Sequence, residues 1–180
     1  GFYPKVINGS LRFNKDDASL LTLTPDSAGS RTTWTYSAWV KLSVLPSSSA
    51  NDTFLLTSAS GSTETTTYIN GINGRIEFYH YNGSGFDFIL KTNNFLRDPS
   101  AWYHLVIVMD TTNATAANRQ RIYINGVAVT SWDTQSNSSQ NFANGLINNT
   151  TAQNIGGFNG TGKFDGYLAN VHFIDGQALT

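Results

Sequence analysis

A chain of 180 residues with 39% hydrophobic and 13% aromatic content can bury a core of its own, and residues 1–180 read as a single domain. Charged residues make up only 13% and the net charge is −1, which excludes the basic footprint of a nucleic-acid binder. The longest apolar stretch, Trp102 to Met109, falls far short of the ~20 residues of a membrane-crossing helix, so no membrane span is expected.

The chain carries 11 Phe, 8 Tyr and 4 Trp with few charges, the opposite of a disordered composition. Ser, Thr, Asn and Gly fill much of the remainder, giving a neutral surface rich in hydrogen-bonding groups. The absence of cysteine excludes disulfides, thiolate zinc sites and cysteine nucleophiles. The sequence starts at Gly1 without a signal-peptide pattern, which reads as a processed or excised piece of something longer.

Helix signals are nearly absent, and β-branched and aromatic residues dominate the apolar runs. In chain order, strands are expected over 10–14, 34–41, 53–59, 66–70, 75–81, 86–91, 102–110, 121–125 and 164–175, where period-two alternation is the mark of a half-buried strand. In the second of these, Trp34, Tyr36, Ala38 and Val40 share one face, and Thr35, Ser37, Trp39 and Lys41 the other. Ile76, Phe78, Phe86, Phe88, Ile122 and Ile124 are expected to point inward, and Phe13, Phe78, Ile107, Ile122 and Val171 to be buried. The run over 102–110 is apolar on both faces, as in a central covered strand. Asn125-Gly126, between Ile122/Ile124 and Val127/Val129, is the strongest hairpin signal. Residues 46–52 and 133–151 read as loops, the second long enough to be functional or mobile. Short strands, Gly/Asn turns and no helix indicate an all-β antiparallel sandwich.

Four segments in order resemble the laminin-G-like branch of the concanavalin A-like lectin/glucanase superfamily. They are SLRFNKDD from Ser10, TWTYSAWV from Thr33, the stretch from Ala101 to Val129 with its WYH and RIYING pieces, and FDGYLANVHFIDGQAL from Phe164. The wording RDPSAWYH and VHFIDGQALT is most similar to copies in bacteriophage structural and tail-fibre proteins. The resemblance implies a jelly roll of two curved antiparallel sheets, and a place on a virion or in the extracellular space. It implies partners of two kinds, a surface glycan or other polymer and other virion proteins.

Glucanases of this fold use paired carboxylates on a short strand. Here Glu64 lies in a Thr-rich stretch and Glu77 has no acidic neighbour within two positions, so no catalytic residue is assigned. No Gly-x-Ser-x-Gly elbow frames a serine. His80, His104 and His172 are scattered along strands without metal-ligand spacing, and read as core or sheet-face histidines held by hydrogen bonds.

Several members of the superfamily hold a structural calcium near their terminal strands. Asp16 and Asp17, after the first strand, and Asp165, opening the last, supply oxygens for such an ion, with Asp110 and Asp133 as weaker candidates. The alternative is that Asp16 and Asp17 only cap a turn. For a glycan, aromatic rings beside amides and carboxylates are the fitting chemistry. If Ile76 and Phe78 face the core, Glu77, Tyr79 and Tyr81 face away, followed by Asn82 in a polar turn, with Trp132 and Trp39 as further candidates. The reading is a non-catalytic recognition module. A ligand-free capsid or fibre decoration domain and a glycan-cleaving enzyme are its rivals.

Overall fold

The computed structural model describes residues 7–159, 161–162 and 164–179. Its strands, in chain order, are β1 (Leu11–Phe13), β2 (Leu21–Leu23), β3 (Thr33–Leu42), β4 (Thr53–Ser60), β5 (Thr63–Ile69), β6 (Arg75–Tyr81), β7 (Phe86–Phe95) and β8 (Tyr103–Asp110). They continue with β9 (Gln120–Ile124), β10 (Val127–Ala128), β11 (Trp132–Ser136), β12 (Gln153–Ile155), β13 (Gly157–Phe158), β14 (Thr161–Gly162) and β15 (Gly166–Asp175). Helix among the described residues is limited to single 3-10 turns at Lys15–Asp17, Ser49–Asn51 and Ala116–Asn118. A six-stranded sheet in the order β1-β15-β3-β8-β9-β10 packs on a seven-stranded sheet in the order β11-β7-β6-β5-β4-β12-β2. Every pairing is antiparallel. This is the antiparallel sandwich that the alternation and turns imply.

The alternation of β3 works as written in the sequence. Trp34, Tyr36, Ala38, Val40 and Leu42 are buried between the sheets, where the Trp34 ring meets Phe78 edge-on at 5.8 Å. From the opposite sheet Ile76, Phe78, Phe88 and Leu90 complete the core, with Leu105, Ile107, Met109 and Ile122 beside them. At the closing end, Phe13 stacks on Phe164 at 5.2 Å, and β1 pairs with β15 through Leu11 opposite Leu168. Asn125 and Gly126 both adopt positive φ (52° and 80°), the conformation a two-residue hairpin of this twist requires.

Four expectations are corrected, for Phe86, Ile124, Val171 and the loop over 133–151. Phe86 points outward and is 52% exposed, because a bulge between His80 and Tyr81 shifts the register of β7 and sets Phe86 opposite Tyr81. Ile124 and Val171 are only partly buried against the core. Trp39, a further glycan candidate, lies half-buried on the outer face of the six-stranded sheet, stacked on His104 at 5.1 Å and away from Tyr79 and Tyr81. The loop expected over 133–151 begins as β11, which pairs with β7. The remainder is packed rather than loose, with Phe142, Leu146 and Ile147 buried at the end of the sandwich. Finally, β2 and β12 are strands of three residues, too short to show a period.

Candidate functional site

The outer face of β5, β6 and β7 is set by register. Tyr68 lies opposite Glu77, Thr66 opposite Tyr79 and Glu64 opposite Tyr81, while across β7 Glu77 meets Lys91 and Tyr81 meets Phe86. Side chains two apart on a strand share a face, so Glu77, Tyr79 and Tyr81 all look away from the core. Around them the rings form a continuous cluster. Phe158, Phe54 and Tyr68 stack in turn at 5.2 Å, Tyr68 meets Tyr79 at 6.3 Å, and Phe86 meets Tyr79 at 5.4 Å and Tyr81 at 5.3 Å.

The orientations divide the cluster by role. Phe54 is stacked between Phe158 and Tyr68, at 29° and 16°, so both of its faces are taken by neighbouring rings. Tyr79 is wedged perpendicular to its neighbours, at 90° to Tyr68 and 84° to Phe86. Its hydroxyl donates to Glu64 Oε1 at 2.6 Å, and burial together with that carboxylate pushes its ionisation far above the ordinary phenol value. Phe86 and Tyr81 are left at the open end of the cluster. Phe86, which alternation alone assigns to the core, is its most exposed ring.

The polar residues of this face are engaged with one another. Glu77 is buried, ion-paired to Lys91 at 3.2 Å, and accepts from Asn70 Nδ2 at 2.9 Å. Its carboxylate therefore organises the sheet surface and is not free for a ligand. Asn82 is exposed, but its Oδ1 accepts from Ser84 N, Ser84 Oγ and Gly85 N, and its amide donates to Asp87 at 3.1 Å. It builds the turn that carries Phe86. Arg75 pairs with Asp133 at 2.6 Å along the same face. Trp132 is not part of this patch: it packs at the edge of the core, opposite Thr92.

The two glutamates of the chain, Glu64 and Glu77, are separated on this face by the register positions of Tyr81 and Glu77. Four residues of strand amount to about 13 Å, wider than the ~5–9.5 Å at which paired glycosidase carboxylates work. His80 is fully buried on the core side, where Nδ1 meets Thr65 Oγ1 at 2.8 Å and Nε2 lies 3.5 Å from Asp87. Burial lowers its pKa below the ordinary imidazole value, against a smaller raising effect of Asp87. His104 Nε2 meets Ser37 Oγ at 2.9 Å on the outer face of the other sheet.

The three aspartates considered for calcium have other partners. Asn14 Nδ2 donates to Asp17 at 2.8 Å and Asn14 Oδ1 accepts from Asp16 N at 3.1 Å, which makes this segment a capped 3-10 turn. Asp165 is ion-paired to Arg12 at 2.6 Å. Among the described residues no three His, Cys, Asp or Glu gather where a metal ion could be held. As placed, these side chains do not fit a calcium cage.

The comparisons with known proteins agree on architecture. A search of curated proteins gives no match. Among solved structures, the chain superposes on the CBM40 of the Ruminococcus gnavus IT-sialidase bound to α2,3 sialyllactose with TM-score 0.61 and 13% identity, covering 95% of this chain and 91% of that one. Mouse laminin α1 chain domains LG4-5 give TM-score 0.60 at 14% identity, over 100% of this chain and 45% of that one. The heptameric SAP-like pentraxin of Limulus polyphemus gives 0.56 at 16%, over 99% and 76%. At these identities the likeness is one of fold. Residues 15–180 match the Laminin_G_3 family, described as concanavalin A-like lectin/glucanases superfamily, and the chain belongs to that family.

Proposed function

We propose that this chain is a non-catalytic recognition module that binds a glycan on the outer face of its seven-stranded sheet. The observation that carries the reading is the aromatic cluster ending in Tyr81 and Phe86, on an exposed sheet face bordered by carboxylates and amides. Sugar rings offer apolar C–H faces, and open aromatic faces are their natural counterparts. The wide separation of Glu64 and Glu77 and the pairing of Glu77 with Lys91 support binding without hydrolysis. A similar fold holds sialyllactose in the bacterial CBM40 module. Because Glu77 and Asp133 on this face are already paired with Lys91 and Arg75, and Glu64 accepts from Tyr79, no charged group among them is left over to recognise an ion, and the fitting ligand for it is a neutral saccharide.

The finer part of the proposal is location. We further propose, on the resemblance read from RDPSAWYH and VHFIDGQALT alone, a place on a virion, where the module would contact a host-surface polymer. A glycan array tests the ligand: parent protein binds a neutral glycan, and Tyr81→Ala and Phe86→Ala do not. Absence of any binder across the array would favour a decoration domain, and release of reducing sugar would make it an enzyme.

A further inference from the structure

At the opposite edge of the sandwich from β1 and β2, a groove of about 420 Å³ opens between β9 and β11. Its lining includes Trp132, Arg121, Asn118, Tyr123, Thr130 and Gln135. Trp132 supplies a half-buried indole against the core edge, and β10 with Val129, whose N donates to Ile122 O at 2.9 Å, borders the groove along β9.

The electrostatics of the groove differ from those of the aromatic face. Among the described residues Arg121 is the one charged residue that lines it, and no carboxylate does. The guanidinium is underused: its Nη1 reaches Tyr123 Oη only at 3.4 Å, and its Nε is shielded from solvent without a hydrogen-bond partner. A buried donor of this kind costs free energy until an acceptor satisfies it or its neighbours. The contrast with Arg119 is instructive, since that residue is fully spent on the backbone carbonyls of Asn113, Ala114 and Ser138. Beside Arg121, Asn118 and Gln135 also line the groove and bring neutral donors and acceptors to it.

We infer that this groove is a second binding site, distinct from the outer face, for a sugar that carries a carboxylate. Arg121 pairs with the carboxylate in the fork geometry that guanidinium and carboxylate share. Trp132 receives the apolar face of the ring, and Asn118 and Gln135 bond its hydroxyls. The site does not depend on the proposed role of Tyr81 and Phe86.

The test uses the whole chain with three probes: a galacturonic-acid oligosaccharide, the same oligosaccharide with its carboxylates methyl-esterified, and a neutral glucan oligosaccharide. Calorimetric titration should show the acid form binding, with the ester at least roughly tenfold weaker, because a charge-assisted hydrogen bond has been removed. Arg121→Gln should weaken the acid form by a similar factor at an unchanged melting temperature, and Trp132→Phe should weaken all binding in the groove while keeping it filled. Tyr81→Ala should leave acid-form binding intact even if neutral-glycan binding fails. Equal binding of acid and ester, an unaffected Arg121→Gln, or no binding of the acid form overturns the inference.

Discussion

Tyr79 holds its hydroxyl on Glu64 and its ring between Tyr68 and Phe86, whereas Tyr81, two residues on, meets among the described rings Phe86 alone. Truncation therefore has different consequences at the two positions. Tyr79→Ala removes packing on both sides and strands the Glu64 carboxylate, so it should cost about 1–3 kcal/mol in a denaturant melt. Tyr81→Ala and Phe86→Ala should stay within about 1 kcal/mol of the parent, yet weaken binding of a neutral glycan roughly tenfold or more, as anchors do. A titration in which Tyr79→Ala alone lost binding at full stability would reverse these roles. His80 gives the residue scale a pH signature. Its folded pKa lies below the unfolded value of ~6.5, so as pH falls the unfolded chain takes the proton first. The stabilisation is complete above ~6.5 and is lost as pH drops through that value toward the lower folded pKa. Melting temperatures from pH 8 to 5 should decline more steeply for the parent than for His80→Gln; parallel curves would remove His80 from the account.

Elements that cross the core were readable from alternation alone, because a half-buried strand writes its period into the chain. β3, β6 and β8 appear within a residue or two of their expected bounds, and Ile122 on β9 is buried at 1% exposure as its neighbours imply. Ile122→Ala should accordingly cost roughly 2–5 kcal/mol through transfer and cavity terms. What the alternation could not reveal was the bulge that turns Phe86 outward, since a one-residue slip flips a side chain to the other face without altering composition. The site was legible in part for the same reason. Strand parity gave the outward set Glu77, Tyr79 and Tyr81, but not that Glu77 is consumed by Lys91, nor that Trp132 belongs to another edge. The loop after β11 hid a further fact, because its anchors are polar. Thr111 Oγ1 donates to Phe142 O, Leu146 N donates to Thr65 Oγ1, and the Gln153 amide donates to Leu146 O. At the terminal strands, Arg12 supplies the positive charge that a cation would otherwise bring to Asp165. Excess EDTA should therefore leave the melting temperature unchanged, while Arg12→Ala lowers it slightly. A melt that drops on chelation would restore calcium to this edge.

At the scale of the whole molecule, β15 sits between β1 and β3, so the first and last strands pair inside one sheet. The six-stranded sheet is complete only when the last strand is in place. Its outer face is finished by the segment beyond β15, where Gln177 O accepts from Thr35 Oγ1 at 2.7 Å and Leu179 N donates back to it at 2.9 Å. The rigid scaffold so formed carries a net charge of −1 spread over a neutral, amide-rich surface. Long-range steering of a ligand is then weak, and affinity must come from contact at short range. For a neutral glycan on the Tyr81 and Phe86 face, the dissociation constant should change less than about twofold between 50 mM and 500 mM salt, because ring stacking has no charge to screen. For an acidic sugar in the Arg121 groove, the same change in salt should weaken binding several-fold, since screening acts on its one ion pair. Titrating both ligands across that salt range on one preparation separates the two surfaces. Strong salt dependence of the neutral ligand would mean that Lys91 or Arg75 leaves its carboxylate partner to bind it.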